Sequence, residues 1–132
     1  MTDHPRIFPT FRYRDATAAL DWLVGTIGFA VHLRSPATGA PDHAELSFGP
    51  SVIMIGQHRD DAFARIVGPP GQGGGTAVYL AVDDVDALHD RVATSGAEIV
   101  QGLIDRPYGS REFICRDAEG YVWCFGTYLP TC

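Results

Sequence analysis

The feature that most constrains this chain is an internal repeat with a period of about 70 residues. Many positions of the first half recur in the second half at an offset of 68 or 70. The pairs at an offset of 68 are Asp15 and Asp83, Leu20 and Leu88, Val24 and Val92, Thr26 and Thr94, and Gly28 and Gly96. The pairs at an offset of 70 are Val52 and Val122, Ile53 and Trp123, Met54 and Cys124, Ile55 and Phe125, and Gly56 and Gly126. Such a period is too long for one unit of a solenoid, so it indicates a duplicated module.

Each half shows the same predicted order of elements, which is a strand, a helix and then three strands. Runs of alternating residues, rich in β-branched and aromatic side chains, predict the strands. They cover 7–14, 29–34, 44–48 and 51–56 in the first half, and 76–82, 98–102, 111–116 and 121–128 in the second. Pro9 has no amide hydrogen to donate, so we expect the first strand to lie at a sheet edge or to bend there.

One amphipathic helix is predicted in each half. The first begins after Asp15, a residue type suited to the N-cap, and Gly28 is placed to end it. Its apolar stripe consists of Leu20, Leu23, Val24 and Ile27. The second helix follows the acidic pair Asp83–Asp84 and ends near Gly96. Its inward residues are Val85, Leu88 and Val92.

The last two predicted strands form a hairpin. Residues 117–120, Asp-Ala-Glu-Gly, separate the strands, and Gly120 can supply the positive φ that such a turn requires. Alternation divides the last strand into two faces. One face carries Tyr121, Trp123 and Phe125, and the other carries Val122, Cys124 and Gly126. We expect a helix to cover the aromatic face and the other face to line a cavity.

The predicted fold class is α+β, with two tandem βαβββ modules that form a curved mixed sheet around a trough and helices on the outside. The chain is one domain, 1–132, with module 1 at about 6–57, a connector at about 58–75 and module 2 at about 76–128. The connector contains a short predicted helix, 61–67, and then a glycine- and proline-rich run, 68–75, which we interpret as flexible. This run lacks the GxxxxGK(S/T) pattern of a phosphate-binding loop. The residues expected to line the trough are Phe8, Thr10, Arg12, Glu45, Ser47, Val52, Met54, Ala77, Tyr79, Ala81, Val122 and Cys124.

Composition excludes several classes of function. The net charge of −6 argues against binding to nucleic acid or to an anionic membrane surface, because both need clustered Lys and Arg. No apolar run has the length of a membrane span, and the N-terminal residues do not resemble a signal peptide. The three cysteines, Cys115, Cys124 and Cys132, show no CxxC spacing, so we expect a reduced, cytoplasmic protein.

Several segments resemble those of the vicinal-oxygen-chelate superfamily, which includes glyoxalase I, extradiol dioxygenases, fosfomycin-resistance enzymes and bleomycin-resistance proteins. Besides the paired modules, the similar segments are Arg14-Asp15 at the start of the first helix, Ile27-Gly28-Phe29 at its end, and Tyr108-Gly-Ser-Arg-Glu-Phe113 leading to Arg116-Asp-Ala-Glu-Gly120. The resemblance covers nearly the whole chain.

In the metalloenzymes of that superfamily, four inward positions hold a divalent metal. Carried over to this sequence, they fall on Phe8, Met54, Ala77 (or Thr76, in a register shifted by one) and Cys124. None of them is a His or a carboxylate, and Met and a lone Cys are soft ligands that suit these metals poorly. The resemblance is therefore closest to the metal-free bleomycin-resistance type, and it implies neither a metal nor another cofactor.

That type implies three further features for this chain. The strand that contains Pro9 crosses to a partner subunit, the aromatic ring at Tyr108 stacks on a ligand, and an acidic cleft receives a cationic drug. The sequence departs from the type in having Tyr rather than Trp at 108 and an additional Ser110. The expected ligand-binding residues are Phe8, Arg12, Glu45, Met54, Tyr79, Tyr108, Phe113 and Cys124.

Some polar side chains have more than one interpretation. His43 and Glu45 can form a metal pair, an acid–base couple or a hydrogen-bonded polar pair. Arg12 can anchor an anionic group or pair with Glu45, and Cys124 can be a nucleophile or a buried inert thiol. Three other histidines are each expected to lie alone at the surface, and they are His32, His58 and His89.

These features favour a dimeric, metal-independent protein that binds and sequesters a small aromatic or cationic molecule, as bleomycin-resistance proteins do. The alternative is a glyoxalase- or dioxygenase-like enzyme of the same superfamily that acts on a small metabolite with a displaced or absent metal site. A partner-binding or regulatory module is a third hypothesis. We assign no catalytic residue from the sequence, and the expected partners are a small ligand and a second copy of the chain.

Overall fold

Strands and one helix form the first module. The computed structural model describes residues 4–72 and 74–131, so Gly73 of the predicted connector and Cys132 lie outside the described residues. The strands of the module are β1 (Thr10–Tyr13), β2 (Ala30–Ser35), β3 (His43–Phe48) and β4 (Ser51–Gln57). They form a mixed sheet in the order β1-β4-β3-β2, in which β1 is parallel to β4 and the other neighbours are antiparallel.

The first strand is shorter than the predicted 7–14. It begins at Thr10, directly after Pro9, whose carbonyl accepts a hydrogen bond of 2.9 Å from the amide of Met54. Because proline cannot donate to a neighbouring strand, the regular pairing starts only after it. The strand lies at an edge of the sheet, as the position of Pro9 predicted.

The first helix, α1 (Ala16–Trp22), begins where the sequence predicted. The carboxylate of Asp15 accepts a hydrogen bond of 3.0 Å from the amide of Ala18, which is the geometry of an N-cap. The helix continues as a π-helical turn, Leu23–Ile27, and Gly28 ends it with a φ of 108°. Both predicted ends of this helix are confirmed.

The π-helical turn changes which side chains face the sheet. A π turn holds more residues than an α turn, so the spacing of about 3.6 residues does not continue through it. Val24 is 36% exposed, and its predicted place in the buried stripe is wrong. The buried residues of the stripe are Leu20, Leu23 and Ile27.

The second module repeats this order. Its elements are β5 (Val78–Ala81), α3 (Val85–Thr94), β6 (Glu98–Asp105), β7 (Arg111–Arg116) and β8 (Val122–Gly126). The strands form a sheet in the order β5-β8-β7-β6, with β5 parallel to β8 and the other neighbours antiparallel. The predicted α+β class with two tandem βαβββ modules is confirmed. The trough remains a prediction.

A short helix, α2 (Ala62–Val67), follows β4 and precedes β5 in the chain, and it was predicted at 61–67. Asp61 caps it by accepting a hydrogen bond of 2.9 Å from the amide of Ala64. The chain divides into two compact units, Met1–Pro70 and Gly71–Cys132, so the division falls inside the predicted connector. No helix described in residues 4–72 and 74–131 has the length and apolar character needed to cross a bilayer.

At the start of the two helices, the offset is one residue larger than the sequence comparison indicated, whereas Gly28 and Gly96 both have positive φ at the helix ends, as that comparison paired them. Asp84, not Asp83, is the counterpart of Asp15, because its carboxylate accepts a hydrogen bond of 3.0 Å from the amide of Ala87. The similarity of Asp83 to Asp15 in the sequence was therefore misleading. The buried residues that correspond at the corrected offset are Ala16 with Val85 and Leu23 with Val92.

The hairpin β7–β8 supplies the largest buried side chain of the second module. Trp123 is fully buried, and its indole N–H donates a hydrogen bond of 3.1 Å to the carboxylate of Asp117. The same carboxylate accepts hydrogen bonds from the amides of Glu119 and Tyr121 and so closes the turn. The predicted burial of Trp123 is confirmed.

Candidate functional site

Several of the predicted site residues lie on the face of a sheet that is opposite its helix. In the first module, α1 packs against β1 and β4. The buried residues of the helix-covered face include Ala44, Leu46, Ile53 and Ile55. The residues that alternate with them are half-buried on the opposite face, and they are Glu45, Ser47, Val52 and Met54. The predicted assignment of the two faces is confirmed for this sheet.

A row of side chains crosses that open face at Met54. In the strand register, Met54 lies opposite Thr10 on one side and opposite Glu45 on the other. Residues that lie opposite each other share a face, so the structure brings Met54 and Glu45 together. Phe8 is 40% exposed and precedes β1, so it lies outside the paired part of the sheet.

The carboxylate of Glu45 has an imidazole near each oxygen. The Nε2 atom of His43 lies 2.9 Å from one oxygen, and the Nε2 atom of His32 lies 4.0 Å from the other. His43 and Glu45 are therefore a hydrogen-bonded pair, a geometry that an acid–base couple shares. The prediction that His32 is alone at the surface is wrong, because this exposed ring faces Glu45.

Two other histidines are less exposed than the sequence predicted. His58 is half-buried, and its Nδ1 atom is buried without a hydrogen-bond partner in the part of the chain that the structure describes. His89 packs its ring edge-to-face on Phe113, with 5.1 Å between the ring centroids. Both imidazole rings are therefore partly enclosed by the protein rather than alone at the surface.

Arg12 contacts a different partner from those predicted. Its guanidinium lies 3.3 Å from the carboxylate of Asp61 and 4.9 Å from the centroid of the Phe63 ring. The proposed pairing with Glu45 is therefore wrong. Arg12 contacts α2 and its cap, and only the predicted short helix pointed to Asp61 or Phe63.

In the second module, a corresponding row crosses the open face at Cys124. Tyr79 on β5 and Ile114 on β7 lie opposite Cys124 on either side. The Tyr79 side chain continues past this row, because its hydroxyl donates a hydrogen bond of 2.6 Å to the carbonyl of Tyr128. Tyr79 is 36% exposed, so part of its ring borders the open face.

Tyr108 lies in the tight loop between β6 and β7. The amide of Gly109 donates to the carbonyl of Arg106 over 3.1 Å, which closes a turn around Pro107 and Tyr108. The side chain of Tyr108 is well held although the residue is 60% exposed. Its hydroxyl donates a hydrogen bond of 2.9 Å to Glu112, and its ring meets that of Tyr128 edge-to-face with 5.9 Å between the centroids.

Glu112 is a site residue that the sequence analysis missed. It lies opposite Gly126 and therefore on the same open face as Cys124. Arg106 donates to its other oxygen over 3.2 Å. Burial raises the pKa of this carboxyl, but hydrogen bonds from Ser110, Tyr108 and Arg106 outweigh that effect and lower the pKa overall. The carboxylate is therefore ionised at neutral pH. Alternation within Arg111-Glu112-Phe113 was the signal that could have identified it.

Phe113 does not lie on the open face, so its predicted place among the ligand-binding residues is wrong. It is fully buried and lies opposite Phe125, with which its ring stacks at 4.9 Å. Its edge-to-face contact with His89 of α3 places it on the helix-covered side. The alternation of the strand directs Glu112 to the open face and Phe113 to the core.

The superfamily's four metal positions do not fit a divalent metal in this chain. Phe8 and Ala77 offer no ligand atom, and Met54 offers only a thioether. Burial and, after it, the charge of Glu112 raise the pKa of the Cys124 thiol, so this side chain is protonated at neutral pH. Among residues 4–72 and 74–131, no three His, Cys, Asp or Glu side chains are grouped as metal ligands.

The sequence profile of the Glyoxalase/Bleomycin resistance protein/Dioxygenase superfamily matches residues 5–125, which is most of the chain. The chain belongs to this superfamily. The resemblance inferred from the sequence is therefore confirmed at the level of the superfamily.

Two relatives are at least 30% identical to this chain over the matched residues. The anthracycline biosynthesis protein DnrV from Streptomyces peucetius is 30% identical over 96 residues, which are 69% of this chain and 35% of DnrV. This chain thus spans about a third of that relative's length. The crystal structure of TioX from Micromonospora sp. ML1 is 35% identical, with a TM-score of 0.75, and the match covers 95% of this chain and 99% of TioX.

A more distant structure shows the shared fold alone. The fosfomycin resistance protein FosX from Mesorhizobium loti is 17% identical, with a TM-score of 0.69. The match covers 98% of this chain and 95% of that protein. At this identity, the likeness supports the glyoxalase-like fold and no particular activity.

Proposed function

We propose that this chain binds a small, flat aromatic molecule, neutral or cationic, on the open face of its second module and sequesters it without a metal. The observation that carries the proposal is the side chain of Tyr108, which is 60% exposed yet fixed by its hydrogen bond to the ionised Glu112. A flat ring held in this way offers a stacking surface, and the neighbouring carboxylate favours a cation. Arg106 reduces this attraction, because its guanidinium contacts the same carboxylate.

Preorganisation is the physical reason to expect useful affinity at Tyr108. A side chain that is already ordered loses little conformational entropy when a ligand binds. A stacked aromatic pair contributes about 0.5–1.5 kcal/mol beyond its buried area. The Tyr108 hydroxyl is already bonded to Glu112, so we expect the face of the ring, rather than the hydroxyl, to recognise the ligand.

The relatives support this class of molecule. DnrV is named for anthracycline biosynthesis, and anthracyclines are flat polycyclic aromatic glycosides that carry an amino sugar. Because the match covers only 35% of DnrV, we take from its name only the class of molecule to use as a probe. The superfamily of this chain also includes bleomycin-resistance proteins, so a role in which binding alone protects the cell belongs to this proposal.

Two further parts of the proposal rest on chemistry rather than on the relatives. Metal independence is supported by the protonated thiol of Cys124 and the thioether of Met54 at superfamily metal positions. A reducing, cytoplasmic location is supported by the free thiols of Cys115 and Cys124.

A fluorescence titration tests this function. The probes are an anthracycline glycoside, which carries the cationic amino sugar, and its neutral aglycone. We expect saturable binding of both, with the glycoside tighter by roughly two- to fivefold, because a partly exposed charge pair contributes little. Tyr108→Ala should weaken both by about tenfold, and Tyr108→Phe should keep most of the affinity.

Ile66→Ala is the control, because this side chain on α2 is 80% exposed and belongs to the unit Met1–Pro70, whereas the residues of the proposed site belong to the unit Gly71–Cys132. It should bind both probes as the wild type does. If Tyr108→Ala binds as tightly as Ile66→Ala does, the open face of the second module is not the site.

One observation favours the alternative of an enzyme. His43 and Glu45 are hydrogen-bonded over 2.9 Å on the open face of the first module, which is the arrangement of an acid–base couple. In that case the chain would convert a small metabolite, and His43→Gln and Glu45→Gln would each abolish turnover. Incubation with candidate metabolites and analysis of products by mass spectrometry distinguishes this function from simple binding.

A further inference from the structure

The backbone that follows β8 is held by side chains from two other parts of the second module. The Tyr79 hydroxyl, from β5, donates a hydrogen bond of 2.6 Å to the carbonyl of Tyr128. The hydroxyl of Ser110, from the loop before β7, accepts a hydrogen bond of 3.1 Å from the amide of the same residue. Ser110 is only 2% exposed, so its hydroxyl is a buried and specific partner. Both backbone groups of Tyr128 are therefore used.

Tyr79 reaches this carbonyl by passing over Gly126. A Cβ atom at Gly126 would lie 2.6 Å from the Tyr79 hydroxyl and 2.7 Å from the Cγ atom of Glu112. These distances are shorter than van der Waals contact, so any larger residue would displace one of the two side chains. Gly126 thus provides the space in which Tyr79 and Glu112 lie side by side.

The held segment contributes directly to the surroundings of Tyr108. The ring of Tyr128 meets that of Tyr108 edge-to-face at an interplanar angle of 81°, so the position of Tyr128 fixes one side of the exposed ring. Just before it, Thr127 is tied to the start of β7, because its amide donates to the carbonyl of Arg111 over 3.2 Å. At the next residue, Tyr128, the backbone is held in place by its hydrogen bonds with Tyr79 and Ser110.

We propose that residues 128–131 form a strap that borders the ligand site, and that Tyr79 and Ser110 are the positioning residues that latch it. This inference rests on the proposed function, because it assigns the strap a role in retaining the ligand that stacks on Tyr108. Opening of the latch frees Tyr128 to move away from Tyr108 and leaves the bound ring uncovered on that side. The latch therefore controls how slowly the ligand leaves.

The Tyr79 hydroxyl is suited to this role because it stays protonated. Burial is the main cause that raises the pKa of this phenol, and the charge of Glu112 also raises it. The hydroxyl therefore remains a hydrogen-bond donor to a backbone carbonyl over the neutral pH range. Phenylalanine at this position would keep the ring and remove only the donor.

The test combines two measurements on the full chain. Hydrogen–deuterium exchange without ligand follows the C-terminal peptide, and stopped-flow fluorescence follows association and dissociation of the anthracycline glycoside. For Tyr79→Phe we expect faster exchange at the Tyr128 amide, which donates to Ser110, and a dissociation rate raised by roughly three- to tenfold, which is the effect of losing one neutral hydrogen bond. The association rate should stay within about twofold, because affinity changes within one interface appear mainly in dissociation.

Ser110→Ala should raise both the exchange rate and the dissociation rate. In the double variant Tyr79→Phe, Ser110→Ala, the fold-change of each rate should be smaller than the product of the two single fold-changes, because both residues act on one latch. Gly126→Ala should resemble Tyr79→Phe. Gly102→Ala is its matched control, because a Cβ at this position of β6 would meet no atom within 4 Å. It should change neither reading.

The possible results distinguish failure of the strap proposal from failure of the proposed function. Unchanged exchange and unchanged dissociation in Tyr79→Phe overturn the strap. Faster exchange with unchanged dissociation shows that the latch exists but does not retain the ligand, which also overturns it. If the wild type does not bind the probe at all, the proposed function fails, and with it the strap's role in retention, whatever the exchange data show.

Discussion

Glu112 keeps its hydrogen bonds from Tyr108 and Arg106 fully only while its carboxylate is ionised. The pKa of this group is lowered in the folded protein, although burial acts in the opposite direction. A carboxyl with a lowered folded pKa stabilises the protein at pH values above its unfolded pKa, and this contribution is lost as the pH falls towards the folded pKa. The stability of the second module should therefore depend on pH in the acid range.

Glu112→Gln tests this dependence. At neutral pH the variant should melt at a lower temperature than the wild type, because the amide cannot replace the charged hydrogen bonds. The difference should shrink as the pH falls below the usual glutamate value of 4.5, where the wild-type carboxylate becomes protonated. Thermal melts followed by circular dichroism between pH 7 and pH 3 provide the measurement.

Glu98→Gln serves as the control, because Glu98 pairs with Arg116 at 3.2 Å on the same sheet but is well exposed. Its effect on the melting temperature should be small at every pH. A Glu112→Gln deficit that persists undiminished at pH 3 would show that the lost group acts through packing rather than charge.

The sequence predicted individual site residues unevenly. Alternation correctly directed Met54, Glu45 and Cys124 to the open faces, because it depends only on the local geometry of a strand. It could not predict that Arg12 contacts Asp61, since that contact depends on where a separate short helix lies. Phe113 was misplaced, because neighbouring strand residues face opposite sides and Glu112, not Phe113, takes the open face.

At the scale of elements, the β7–β8 hairpin carries the core of the second module. Trp123 is fully buried, stacks with Phe125 at 6.4 Å and satisfies its indole N–H through Asp117. Phe113 and Phe125 extend the same aromatic face towards α3. The buried indole therefore links the turn, the strand and the aromatic core.

Trp123→Ala should destabilise the protein by about 3–5 kcal/mol, because it removes a large buried aromatic side chain and leaves the Asp117 carboxylate without one partner. A domain of this size has only about 5–15 kcal/mol of stability, so expression should fall and the urea midpoint should drop strongly. Trp123→Phe should lose less. A Trp123→Ala variant of wild-type stability would contradict the assignment of this face to the core.

Helix caps and turns were the most predictable elements. Asp15, Gly28 and residues 117–120 act as predicted, because caps and turns depend on a few neighbouring residues. The π-helical turn at Leu23–Ile27 was not predictable, since its spacing depends on how the helix end packs against the sheet. A π-helical turn holds more residues than an α-helical turn, so the offset between the starts of the two helices was misjudged by one residue.

At the scale of the whole molecule, the edge strands suggest assembly. In the described sheets, β2 and β6 are edge strands, and both expose apolar side chains. These are Val31 and Leu33 on β2 and Val100 and Ile104 on β6, each between 38% and 47% exposed. Exposed apolar edges favour pairing with another chain.

We therefore expect a homodimer, and light scattering coupled to size exclusion measures it directly. The mass at micromolar concentration should be twice the 14.3 kDa of the single chain. Leu33→Lys or Ile104→Lys should shift the equilibrium towards the monomer, depending on which edge pairs. A wild-type mass of one chain at that concentration would contradict this expectation.

The proposal that ligand binding needs no metal is tested most directly by one titration. The anthracycline glycoside is added to protein that has been treated with a strong chelator and dialysed, and the fluorescence change gives the Kd. We predict the same Kd, within about twofold, for the treated and the untreated protein, because the side chains of Met54 and Cys124 are poor ligands for a divalent metal. Loss of binding after chelation, restored by one equivalent of zinc, manganese, nickel or iron, would contradict it.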